Sequence, residues 1–183
     1  MPRNKRPQDR EEKRDEIVAV ARRLFIDEGY EVTPMGRIAA GAEIAPNTIY
    51  WYFRDKDDVL LAVLDEVLAE ATREFLAQPP ADLADRLLWL VDRLESVSKL
   101  ISTVHSRVAL SDAVSTWHDF FHTSSEALLR VELSSAGVGG EDVDDVVKVW
   151  VFAIEGLLMH GLDADRKRSI CRTLVRQLER IQT

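Results

Sequence analysis

The segment Thr33–Lys56 constrains the chain most. It reads as a short helix, a three-residue turn and a second short helix, with a basic residue opening a longer one. Thr33 is placed to cap the first helix, and Pro34 suits a first turn, where no N–H is needed. Ile38 and Ala39 supply that helix's inner face, Ala42-Glu43-Ile44 makes the turn, and Pro46 marks another first helical position. Ile44 and Ile49 stand where a hydrophobic staple sets the entry angle of the chain. Ile49 and Phe53, four apart, share one face and point inward. Asn47, Thr48, Tyr50, Trp51 and Tyr52 are left largely outside. Three aromatics with an amide and a hydroxyl suit a helix that enters a DNA major groove better than a purely solvated face.

The residues Gly29-Tyr30-Glu31-Val32-Thr33, Ile38-Ala39-Ala40, and Ile44 through Phe53 followed by Lys56 resemble the TetR family of transcriptional regulators, at that family's spacing. The resemblance covers the first third of the chain. Its most specific part is Thr-hydrophobe-Tyr-x-aromatic-Phe with a Lys three residues on. Two positions depart from the pattern. Glu43 stands where Gly is usual, which asks a side chain to accept a left-handed backbone. Ala45 stands where Ser usually caps the recognition helix, losing about 1 kcal/mol that Pro46 partly offsets.

A net charge of −8 is unexpected for a DNA binder, so its distribution matters. Residues 1–56 carry 11 Lys/Arg against 10 Asp/Glu, whereas residues 57–183 carry 13 against 22. The acidic part is the one expected to stay away from a polyanion. Arg3, Lys5, Arg6 and Arg10 form a loose basic arm, suited either to solvation or to phosphate contact. One cysteine, Cys171, excludes an internal disulfide and fits a reducing cytoplasm. No apolar run reaches the length of a membrane span, so a cytoplasmic location without membrane association is expected.

The fold class expected is all-α, with no two-residue alternation. A first helix carries Ile17, Ala21, Leu24 and Phe25, opens near an Asp9/Glu12 capping box and ends at Gly29. The expected division is a helix-turn-helix domain over residues 1–56, a bridging fourth helix over 55–77 capped by Asp55, and a ligand-binding and dimerisation domain over 78–183. Pro79-Pro80 makes the clearest break. Helices are then expected at about 81–97, 99–112, 116–136, 141–162 and 165–181, with Gly137, Gly139 and Gly140 punctuating the last long gap. The helix from Glu141 is apolar nearly all round and needs partners on more than one side. The last carries Ile170, Leu174, Leu178 and Ile181 opposite an Arg-rich face. In the family resembled, this pair of helices forms a four-helix bundle with a second copy, which implies a homodimer.

For DNA binding, the resemblance implies that Thr33 and Tyr50 anchor phosphates, and Tyr52 is a further phosphate candidate. Lys56, near a helix N-terminus, suits the same task. Base reading falls to Pro46, Asn47 and Thr48: the amide bonds base edges, and the proline and the threonine methyl pack on thymine methyls. Arg37 is a candidate for phosphate or base contact, and Trp51 either reaches DNA or packs half-buried. The expected partners are an operator duplex, a second copy of the chain and a small-molecule effector.

For the effector, Trp89, His105, Trp117, Phe121 and Trp150 are candidate contacts, as polar and aromatic groups in a mainly aliphatic domain. Each of them also suits an ordinary core or surface role. His118 and His122 share a helix face with spacing like that of a His-Glu-x-x-His zinc motif, Asp119 replacing the Glu. The sequence shows no third ligand for them, so no metal, cofactor or catalytic residue is assigned.

Overall fold

A computed structural model describes residues 7–78, 82–137 and 143–181, and among them are eight α-helices and no strand. Arg3, Lys5 and Arg6, the Pro79-Pro80 break, Gly139 and Gly140, and the side chains of Leu178 and Ile181 lie outside the described residues. The helices are α1 Pro7–Asp27, α2 Met35–Gly41, α3 Lys56–Ala77, α4 Leu83–Glu95, α5 Ser98–Arg107, α6 Asp112–Ser135, α7 Val143–Met159 and α8 Ala164–Ile181. None is long and apolar enough to cross a membrane.

The chain forms two compact units: Met1–Thr72 with Lys99–Ser115, and Arg73–Ser98 with Thr116–Thr183. The sequence division at residues 56 and 78 missed the return of α5 to the first unit. The unit boundaries fall inside α3 and α6, which are continuous helices, and after the first residue of α5.

In the first unit, α1 buries Ile17, Val18, Ala21 and Phe25 at helical spacing. It stops where Gly29 takes φ +109, a left-handed conformation that costs glycine little. Tyr30 then folds back, its ring 5.3 Å from that of Phe25. Helix α2 lies against α1 so closely that a Cβ at Gly41 would meet a Val20 methyl at 2.6 Å. Pro34, not Thr33, precedes the first turn of α2, without a side-chain cap.

A knot of polar groups ties three segments of this unit. The Asp57 carboxylate at the start of α3 accepts from the Tyr30 hydroxyl, and from Nη2 of Arg107 on α5 at 2.8 Å. Burial by itself raises the Asp57 carboxyl, but the hydrogen bonds from Arg107 and Tyr30 outweigh it and hold the group below the usual carboxylate range. Burial, then the bond to Asp57, pushes the Tyr30 phenol above its ordinary value.

The second unit packs α4, α6, α7 and α8 around Leu87, Val91, Leu129, Leu133, Val147, Trp150, Ile154, Leu157 and Cys171. Asp82 caps α4 by accepting from the Asp85 N–H at 2.8 Å. Arg86 makes a two-pronged pair with Glu132 at 2.7 and 2.8 Å, its guanidinium lying 4.1 Å from the Phe75 ring centre. Lys167 is 4% exposed and pairs with Glu95. Burial pushes the Cys171 thiol up to about 11. The outer face of α8 carries exposed Arg166, Arg168, Arg172 and Arg176, as its sequence pattern requires.

Glu43 sits at φ +55, as its place in the turn required, and a left-handed non-glycine residue costs about 1 kcal/mol. Glu43→Gly is expected to raise the thermal midpoint by about 2–4 °C; an unchanged or lower midpoint would show that the turn carries no strain. Asp57→Asn is expected to cost about 2 kcal/mol in denaturant unfolding, the scale of hydrogen bonds to a charged group. Because the folded Asp57 value is depressed, its contribution is present above about pH 4 and lost as pH falls further. The raised Tyr30 value makes its contribution complete below about pH 10 and lost as pH climbs above that. Unfolding midpoints measured across pH should show both limbs, with the acid one flattened in Asp57→Asn.

Candidate nucleic-acid interface

The segment after α2 is held by the two apolar residues that its spacing marked as inward. Ile49 is fully buried and Phe53 is 4% exposed, and these anchors fix which side of the intervening chain faces out. The segment is shorter and tighter than the helix expected from Pro46 onward: only Ile49–Trp51 forms a helical turn, of the 3-10 kind. Its bonds run Thr48 N–H to the Ala45 carbonyl at 2.8 Å, and Trp51 N–H to the Thr48 carbonyl at 3.1 Å. Ala45 offers no capping oxygen, Pro46 no N–H, and Thr48, Ile49 and the aromatics lose rotamer freedom in an α-helix.

The outward side keeps its chemistry. Tyr50 is 53% exposed and Trp51 75%, with Pro46 and Asn47 exposed and Thr48 and Tyr52 half-buried. Trp51 is therefore not half-buried packing. Arg10, a member of the expected basic arm but not of the expected contact set, donates from Nη2 to the Trp51 carbonyl at 3.0 Å. Arg14 lies 5.0 Å from the Phe53 ring centre. Together they bring two cations from α1 to the exposed segment. Arg37 is exposed and paired with Glu28 at 2.6 Å, an ion pair with enough solvent access to exchange its partner.

Two expected phosphate anchors are placed differently. Thr33 is fully buried, and its hydroxyl donates to the Gly29 carbonyl at 2.8 Å. It closes the turn after α1 and leaves no hydroxyl at the surface. Lys56 is half-buried; its ammonium donates to the Tyr30 carbonyl at 2.9 Å and lies 4.0 Å from the Tyr30 ring centre. At the N-terminus of α3, where it was expected to meet a phosphate, Asp55 accepts from the Asp58 N–H at 2.9 Å. Arg54 is bound to the Asp58 carboxylate through two nitrogens, at 2.6 and 2.7 Å.

The expected effector contacts take different places in their own units. Trp150 belongs to the core of the second unit at 2% exposure, and Trp89 packs with Phe75, ring centres 5.9 Å apart. His105 is exposed on α5, in the first unit. Trp117 and Phe121 stack along α6, ring centres 5.5 Å apart and 12° from parallel.

A sequence profile described as "Bacterial regulatory proteins, tetR family" matches residues 17–63, from the middle of α1 into α3. Among curated relatives, the HTH-type transcriptional repressor AcnR of Corynebacterium diphtheriae is 30% identical over 75% of this chain and 87% of its own. The HTH-type transcriptional regulator HbdR of Aromatoleum sp. is 40% identical over 37% of this chain, but that match spans only 30% of HbdR. The match to AcrR of Shigella flexneri is similar, spanning 38% of that regulator, so the chain covers less than half of either. The crystal structure of a TetR transcription regulator from Haloarcula marismortui shares the fold, with a TM-score of 0.74 and 20% identity over 92% of this chain and 97% of that one. The profile falls on the segments that build the exposed Tyr50–Trp51 turn, and the AcnR likeness runs through both units: the chain belongs to the TetR family of transcriptional regulators.

Proposed function

We propose that the chain is a ligand-responsive repressor that binds a near-palindromic operator as a homodimer and leaves it when a small effector binds. The observation that carries the reading is the exposure of Tyr50 and Trp51, beside Pro46 and Asn47, on a segment pinned from beneath by Ile49 and Phe53. In this reading Tyr50 and Tyr52 bond phosphates and Arg10 adds charge, fixing register without reading sequence. Asn47, Pro46 and Thr48 meet base edges, and Arg37 exchanges Glu28 for the duplex. Thr33 and Lys56 act from behind, holding the turns that present the segment. AcnR, which the chain matches over most of its length, is named a repressor.

One such module makes few base contacts, so two on one duplex are required for useful affinity, with half-sites one or more helical turns apart. The second copy is proposed to pack on α7 and α8. Val149 and Phe152 of α7 are 58% and 68% exposed, a large apolar area for one helix face. The effector is proposed to bind the second unit beside the Trp117–Phe121 stack. Because α3 is one helix with residues in both units, a shift of its far end reaches the DNA-binding unit. Effector and operator then oppose each other by the same factor in binding free energy.

Selection of duplexes from a random library by the purified protein is expected to recover a two-fold sequence, and folded protein that enriches nothing after refolding to strip ligand would sink the reading. Tyr50→Ala is expected to weaken operator binding about 10- to 100-fold, the loss of one hydrogen bond to a charged group, with folding intact. Asn47→Ala should instead relax preference at one base position, by about 1–3 kcal/mol of discrimination. Phe152→Glu is expected to convert a dimer to a monomer in light scattering, and a surviving dimer would move the interface off this face of α7.

A further inference from the structure

The second unit holds a cluster of ligand atoms that operator binding does not use. Residues four apart along one stripe of α6 meet α7 in antiparallel order. Arg130 donates to Asp144 at 2.6 Å, and Lys148 donates to Glu126 at 2.9 Å. One turn further along α6, Nε2 of His122 stands 3.9 Å from Oε1 of Glu155. The first two rungs match a permanent cation to a carboxylate. The third rung offers imidazole instead, and a second imidazole joins it: Nε2 of His118 lies 3.1 Å from Nε2 of His122. We propose that His118, His122 and Glu155 bind a divalent transition-metal ion of the zinc class.

The spacing suits the chemistry. A tetrahedral ion with metal–nitrogen bonds of about 2.0–2.1 Å holds its ligand nitrogens about 3.3 Å apart. Two Nε2 atoms facing each other share at most one hydrogen bond, whereas an ion between them bonds both lone pairs. The Glu155 side chain is 41% exposed, with Oε1 3.9 Å from Nε2 of His122, and is the carboxylate that α7 offers to the pair. On the opposite side of the His118 ring, Oδ1 of Asp119 stands 3.7 Å from Nδ1. That separation exceeds a hydrogen bond, and a turn of the exposed Asp119 side chain would be required for it to orient a metal-bound imidazole. Two nitrogens with one carboxylate oxygen favour zinc, cobalt, nickel or copper over magnesium and calcium, which take all-oxygen shells.

The histidines are 23% and 28% exposed in their side chains, so they are shielded yet reachable from solvent. The adjacent rung is charge-matched, Lys148 to Glu126. Three protein ligands leave a fourth position for water or for a donor atom of a small molecule. Bound there, the ion fastens α6 to α7 and stabilises the unit by mass action.

The test uses the full chain with any polyhistidine tag removed and metal stripped by chelator, without DNA, so its outcome is separate from that of operator selection. Cobalt(II) is titrated while visible d–d absorption is followed, and zinc(II) by calorimetry. The expected result is one ion per chain, a tetrahedral cobalt spectrum that zinc abolishes, and a zinc-dependent rise in the thermal midpoint. His118→Ala and His122→Ala should each lower affinity by more than the about 10- to 100-fold that loss of an outer-shell partner costs. Glu155→Gln should weaken binding measurably, and His160→Ala should leave it unchanged. Circular dichroism checks that each variant is folded. If a histidine variant fails to fold, the wild-type titration and Glu155→Gln decide. Absence of a saturable cobalt spectrum in folded wild-type protein overturns the site, as does affinity that survives both histidine substitutions. Unchanged affinity in Glu155→Gln overturns the assignment of α7 as the source of the third ligand.

Discussion

The first unit depends on one carboxylate. Asp57 receives the Tyr30 hydroxyl and the Arg107 guanidinium, so the turn after α1, the start of α3 and the end of α5 meet at a single negative charge. Lys56 reinforces the join from the neighbouring position through the Tyr30 carbonyl and ring. A partly buried charge is costly unless it is fully bonded, and this one is bonded from two directions. The arrangement explains why a helix that follows the break after α3 in sequence belongs to the unit that precedes it. The same join fixes where α3 begins, and with it the frame against which the exposed aromatic turn is presented.

Local pattern made much of this legible. The 3.6-residue stripe of α1, the inward pair Ile49 and Phe53, and the left-handed demand on Glu43 all depend on neighbours within a turn or two, and all three stand in the structure. The outward set at residues 46–52 was readable for the same reason: subtracting two buried anchors from a short segment leaves the rest exposed or half-exposed. Helix positions through the second unit also followed from periodicity, to within a few residues at most ends.

What depended on distant partners was not legible. Thr33 and Lys56 have the right chemistry for phosphate, and only the fold shows that each also bonds a carbonyl of the chain. Arg107 lies fifty residues from Asp57, and nothing local to either announces the pair. Trp150 reads as a pocket residue because tryptophan is amphipathic, yet its place on the buried stripe with Val147, Ile154 and Leu157 makes it core. His118 and His122 were recognisable as a pair on one helix face. Their carboxylate neighbour came from another helix, which spacing along α6 cannot reveal.

Cys171 gives the second unit a built-in clock. Its thiol is fully buried in the core shared by α4, α6, α7 and α8, and burial keeps it protonated at neutral pH. Alkylating and oxidising reagents attack the thiolate, so reaction at this sulfur requires the core to part and admit water first. Its rate of modification therefore counts openings of the helical layer as they occur. A ligand that tightens this unit will slow that count, and one that loosens it will quicken it, whatever happens at the far end of α3.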